Sequence, residues 1–283
     1  MRLPVFACAI ALLTPCCISA DPDPRLSFDA TRTGVAGTTG PFGVLHTLWH
    51  AQSRVTEAIV IEATYAVPID ETPLPTVVFI HRGDVPPARY QWLQDHIASR
   101  GYTVIAPRHF ATVPILEADN AQIALDSATE LGFVTPGTKI AIAGHALGGT
   151  VAALNFAADD RFAGLALLAA TPAPGNLRQR DRPVLAIAGT QDEKVTPDLS
   201  RTELERFTAP RWFGLVDGMN HYAWTDENTE RDLAGDGNPL GDIGRLRRDA
   251  TRLLDLWLDG VLRDDAAALA ELALITDAEA SAP

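Results

Sequence analysis

The chain has 283 residues, 47% hydrophobic and 21% charged, a globular composition that excludes a disordered or collagen-like polymer. Its 23 basic and 36 acidic residues leave a net charge of −13. With no local basic patch to offset that charge, nucleic acid is excluded as a partner.

Residues 1–20 read MRLPVFACAIALLTPCCISA. One arginine, an apolar run from Val5 to Leu13 and small residues ending at Ala20 form the pattern of a secretory signal peptide, cut after Ala20. The run is too short to span a bilayer as a helix. A secreted or periplasmic protein is expected. Acylation at Cys16 or Cys17, which would tie the chain to a membrane, is the alternative, although Pro15 departs from the small residues of that motif. Cys8, Cys16 and Cys17 are all the cysteines there are. The trimmed chain therefore has no disulfide, no thiol nucleophile and no thiolate metal ligand.

Residues 21–43, rich in Asp, Pro, Thr and Gly, read as an extended lead-in, and 44–283 as one domain. Val44–His50 and Glu57–Tyr65 predict a strand pair. Thr76–His81 (TVVFIH) and Tyr102–Pro107 are apolar runs typical of strands buried on both faces, with an amphipathic helix between them over Tyr90–Ser99 that stops at Gly101. Ala121–Leu131 is helical. Lys139–Gly144 is a strand leading into a helix over Leu147–Ala157. Gly164–Ala170 and Pro183–Gly189 are further buried strands, Leu199–Phe207 a helix and Arg211–Val216 the last strand. Leu240–Leu262 and Ala266–Leu274 close the chain as helices. Such alternation predicts an α/β fold: a mostly parallel, twisted sheet of about eight strands flanked by helices, without a separate lid domain.

The most informative segment is Gly144-His145-Ala146-Leu147-Gly148-Gly149, where a buried strand turns directly into a helix. That is the setting of a nucleophile elbow, G-x-S-x-G, with alanine in place of the central serine. The order nucleophile, acid, histidine then continues down the chain. Asp192 follows the strand ending at Gly189, and His221 follows the strand ending at Val216. His221 is the natural general base and Asp192 its orienting partner. The backbone N–H of Leu147 is one expected oxyanion donor, and the loop after Thr76–His81 the source of a second.

With FIHRGD, WLQDHIASRGYTVIAPRH, AGHALGG, AGTQDEKV and DGMNHYAW, the chain resembles α/β-hydrolases of the chlorophyllase, dienelactone hydrolase and bacterial cutinase-like polyester-hydrolase neighbourhood, over roughly residues 44–260. The resemblance implies a secreted carboxylic-ester hydrolase using Ser, His and Asp on a small-molecule or polymeric ester. It implies no cofactor and no metal, and a monomer is expected. Two departures fall on the chemistry. The nucleophile position is Ala146, so turnover is expected to be absent or strongly impaired; loss of that group costs about 10⁶ in kcat in subtilisin. The family's His-Gly-x is here His81-Arg82-Gly83, so Arg82 is expected to distort the second donor, otherwise Gly83. Arg82 and Trp224 are candidate substrate contacts. Ala146 is either a substitution made to trap substrate or a natural loss, and Arg82, which an engineer would not normally add, favours the second.

Other readings stay open. A hydrolase fold without catalysis would bind an ester or apolar ligand. Gly-x-Ala-x-x-Gly after a strand also fits a degenerate dinucleotide fingerprint and an NAD(P)-dependent oxidoreductase, but the next strand ends without the acidic residue. Asp232, Asp236 and Asn238 suit either a calcium loop or a solvated turn, and His46 and His50 lack the glutamate of a zinc helix.

Overall fold

The computed structural model describes residues 37–51, 59–66, 73–108, 119–172, 181–208 and 210–279. The expected signal peptide, its three cysteines and the lead-in up to residue 36 lie outside these.

The apolar runs form the strands expected of them. They are β1 (Val44–Ala51), β2 (Ile59–Ala66), β3 (Thr76–Ile80), β4 (Thr103–Arg108), β5 (Ile140–His145), β6 (Phe162–Leu168), β7 (Val184–Gly189) and β8 (Arg211–Val216), and a further strand, β9 (Asp277–Glu279), joins them. All nine join one sheet in the order β1-β2-β4-β3-β5-β6-β7-β8-β9. The block from β4 to β8 is parallel. β1 and β2 run antiparallel to it at one edge and β9 at the other.

Side chains alternate across a strand. Val77 and Phe79 of β3 therefore join one core with Leu93, Ile97, Leu254 and Trp257, whereas Val78 and Ile80 join the other with Leu125, Val151 and Phe156. Helices α1 (Gln91–Ser99) and α6 (Ile243–Leu262) cover the first face; α2 (Asn120–Glu130), α3 (Leu147–Ala158) and α4 (Pro197–Leu204) cover the second. Two covered faces explain why these strands carry continuous apolar runs rather than alternation.

Arg211–Val216 is not the last strand. After α7 (Ala266–Ile275), Asp277–Glu279 pairs with β8 through the register Arg211↔Glu279. Three residues, DAE, carry no apolar alternation for sequence to read. An ion pair from Arg201 to Asp277 holds the strand from the side. The short helix α5 (Glu230–Leu233) and the 3₁₀ turns Pro87–Tyr90 and His221–Trp224 were likewise beyond the pattern, since one turn shows no period. Among the described residues no helix is long and apolar enough to cross a membrane.

Candidate active site

The parallel strands end together, and the loops after β3, β5, β7 and β8 converge there, as ligand sites of open α/β sheets do. At the centre is Ala146, between β5 and α3. Its backbone is at φ 52°, ψ −123°, a region that only glycine enters freely. Close packing on both sides enforces it. A Cβ on Gly144 would stand 2.4 Å from the Gly148 carbonyl oxygen, and one on Gly148 would stand 2.2 Å from that of Ile80. The Ala146 N–H donates to Leu168 O across 3.1 Å. Leu147 opens the helix, so its N–H has no intrahelical acceptor.

Asp192 and His221 meet as their order in the chain suggested. His221 Nδ1 donates to Asp192 Oδ2 at 2.9 Å. The other carboxylate oxygen accepts the N–H groups of Lys194 (2.9 Å) and Val195 (2.7 Å). Both residues are buried. With the proton of Nδ1 committed to Asp192, Nε2 of a neutral imidazole is the basic nitrogen. Gly189 lets the two loops touch: a Cβ there would lie 2.1 Å from Met219 O.

A second polar chain supports this one. A carbonyl only accepts, so His145 Nε2 donates to His221 O at 3.1 Å and His145 Nδ1 is the acceptor. Tyr90 supplies its hydroxyl proton to that nitrogen at 2.9 Å, and Tyr90 Oη in turn accepts the Arg82 N–H at 3.3 Å. Complete burial drives the His145 pKa well below the usual imidazole range, and the neighbouring His221 adds to the effect. Burial also pushes the Tyr90 phenol up. Both groups therefore stay neutral and run from the β3 loop to the histidine loop. His145 and His221 also pack ring on ring, with centroids 4.7 Å apart. Sequence gave no sign of Tyr90, which lies 55 residues from His145.

Ala146, Leu147 and His221 border a cavity of about 290 Å³, together with Arg82, Lys194 and Tyr222. Arg82 does not strain the β3 loop, because among the described residues only Ala146, Ala169 and Asp264 are non-glycine residues with positive φ. Its guanidinium pairs with Asp84 through Nε at 3.1 Å and donates through Nη1 to the Tyr222 hydroxyl. Gly83 is buried and does not border the cavity. Since the Arg82 N–H is given to Tyr90, Leu147 is the one expected oxyanion donor position on the cavity wall. Trp224 is also absent from that wall. It is 1% exposed, stacked on Trp92 at 6.4 Å, and its carbonyl accepts Trp92 Nε1 at 2.9 Å. The 3₁₀ turn that presents His221 rotates Trp224 into the core.

The acidic loop is occupied by its own donors. Asp232 caps α5 at Thr229 and pairs with Arg89 at 2.8 Å. Asp236 accepts backbone N–H groups from Glu193, Gly237 and Tyr222.

No curated protein matches the chain. A family model described as the alpha/beta hydrolase family matches residues 76–232, more than half of the 283 residues. The match runs from β3 through the elbow, Asp192 and His221 to α5. Its span is thus the part of the sheet whose strand ends carry the buried His–Asp pair and the strained residue at 146, and on that match this chain belongs to the alpha/beta hydrolase family.

Proposed function

We propose that this is an exported protein on a carboxylic-ester-hydrolase scaffold whose nucleophile position, Ala146, carries no attacking atom, so that the site binds an ester or acid without covalent turnover. One observation carries this: an alanine sits at φ 52°, ψ −123° on the wall of the cavity that His221 also borders, with His221 on Asp192 at 2.9 Å. A backbone held away from the ordinary regions costs of order 1–3 kcal/mol. A hydroxyl presented from that position is what the strain would serve, and alanine has none. Thr150, one helical turn past the elbow on the same wall, does not replace it, since its hydroxyl donates to Thr171 O at 2.9 Å.

The test is Ala146→Ser. Hydrolysis of a short-chain nitrophenyl ester should appear, raised by several orders of magnitude over the parent, in keeping with the ~10⁶ that a triad nucleophile is worth. A variant that binds ester yet stays at background would mean that the β3 loop no longer supplies its oxyanion donor. The site would then be committed to binding alone.

A further inference from the structure

The charged side chains on the wall of the Ala146 cavity, Arg82 and Lys194, are both cations, and the neutral imidazole of His221 stands beside them. No carboxylate borders it. Asp192 has its two oxygens taken by His221 and by the N–H groups of Lys194 and Val195. The wall thus carries only cations in a chain of net charge −13. The two cations differ. Arg82 is fixed and largely neutralised by Asp84 at 3.1 Å, Asp232 at 3.9 Å and the Tyr222 hydroxyl. The Lys194 ammonium donates to the carbonyl of Ala234, and among the described residues no salt bridge to a carboxylate neutralises it. Leu147 adds an N–H at the start of the 12-residue helix α3, whose dipole favours an anion at that end.

We infer that this cavity takes a short-chain free carboxylate in preference to a neutral ester. The inference rests on the reading of the site as a pocket without covalent turnover, and it names the ligand class of that pocket. The carboxylate group meets the Leu147 N–H and the Lys194 ammonium. The acyl chain lies against Val195 and the methyl of Ala146. A volume of about 290 Å³ is at the small end of ligand sites, which run from about 300 to 1,000 Å³, and this limits the chain to a few carbons. A carboxylate fits better than a phosphate dianion, because one backbone N–H and one ammonium satisfy two oxygens rather than three.

Isothermal titration calorimetry on the folded protein tests this with acetate, butyrate and hexanoate, with methyl butyrate and butyramide as neutral counterparts, and with inorganic phosphate. At least one acid should bind about tenfold or more tighter than its neutral counterparts, and tighter than phosphate. Its affinity should fall as NaCl is raised, since the ammonium is exposed. Lys194→Gln should weaken the acid about three- to fivefold, the scale of an exposed ion pair, and leave methyl butyrate unchanged; Lys194→Arg should retain the preference. Equal or tighter binding of the neutral ester, tighter phosphate, an acid indifferent to Lys194→Gln, or no binding at all overturns the inference. The Ala146→Ser assay is separate. Restored hydrolysis with no acid preference sinks this inference alone. Background activity in Ala146→Ser together with no ligand of any kind sinks the pocket reading beneath it.

Discussion

Among the described residues stand two buried His–Asp pairs of nearly equal length: His221–Asp192 at 2.9 Å and His96–Asp255 at 3.0 Å. Their surroundings separate them. Asp192 takes two backbone N–H groups from its own loop, and its histidine borders the cavity beside Ala146. Asp255 is ringed instead by His96, by Arg100 Nε at 3.2 Å and by the Gly37 N–H at 2.6 Å. Arg100 continues to Asp259 at 2.9 Å, which also accepts from Tyr102 at 2.6 Å and Arg263 at 2.6 Å. The second pair thus belongs to an ionic cluster that ties α1 to α6. A histidine on an aspartate is no mark of chemistry by itself. His96 too borders a cavity, of about 640 Å³, but its walls come from α1, α6 and the segment Gly37–Val44; the mark is an imidazole set beside the elbow, with Ala146 on the same wall.

Measured in the Ala146→Ser background, the two aspartates should part widely. Asp192→Asn should lower kcat by about 10⁴, because the amide no longer holds the productive tautomer. Asp255→Asn should leave kcat per folded molecule within about twofold, because it lies in the other cluster. Steady-state hydrolysis of one ester by both variants decides it. An equal loss in both would mean that the α1–α6 cluster also positions the site.

Stability should rank them the other way. Asp255→Ala leaves Arg100 and His96 buried without their acceptor, which costs about 3–5 kcal/mol for a buried pair broken from one side. Asp192→Ala strands two N–H groups and one imidazole beside a water-accessible cavity and should cost less. Urea unfolding of the parent and both variants makes the comparison.

The two pairs were also unequally legible. Asp192 and His221 could be found because each follows a buried strand in the order set by the elbow, and Gly144 and Gly148 mark the elbow through contacts a Cβ would forbid. The parallel sheet was legible for a similar local reason, as apolar runs of strand length. His96 and Asp255 stand 159 positions apart on two helices, and nothing local announces their meeting. Tyr90 was hidden in the same way, as was the inward turn of Trp224. A motif assigns the Gly83 donor by position, whereas the cavity wall depends on how the loop after β3 closes against Tyr90, which no local pattern encodes.

A third buried histidine sharpens the contrast. His145 has a tyrosine and a carbonyl for partners rather than a carboxylate, so only the His221 carbonyl favours its charged form, and burial outweighs it and holds the pKa well below the usual value. In the unfolded chain the same side chain binds a proton near pH 6.5. Below that pH the unfolded state carries the extra proton, so this contribution is full above about pH 6.5 and declines as pH falls, by at most about 1.4 kcal/mol per unit. His145→Gln should flatten the fall. Urea unfolding of both proteins at pH 7 and pH 5 measures the difference; equal slopes would mean that His145 takes up its proton in the folded state.

The smallest expected effect bears most directly on the elbow. At φ 52°, ψ −123°, Ala146 lies outside the small left-handed region open to ordinary residues, where ψ is about +30° to +60°. Glycine enters this region without the Cβ clash, at the cost of greater freedom in the unfolded chain. Relief of strain of order 1–3 kcal/mol against an entropic loss of about 0.5–1 kcal/mol leaves Ala146→Gly stabilising by about 1 kcal/mol. Ala152, six residues on inside α3 and fully buried, supplies the contrast, since glycine there should cost about 1 kcal/mol from helix propensity alone. Opposite signs for one substitution within a single strand–helix unit would be the signature of a backbone still bent to present a side chain at 146. Equal losses would mean that the turn sits at rest, and the case that the fold retains a nucleophile's geometry without the nucleophile would lose its main support.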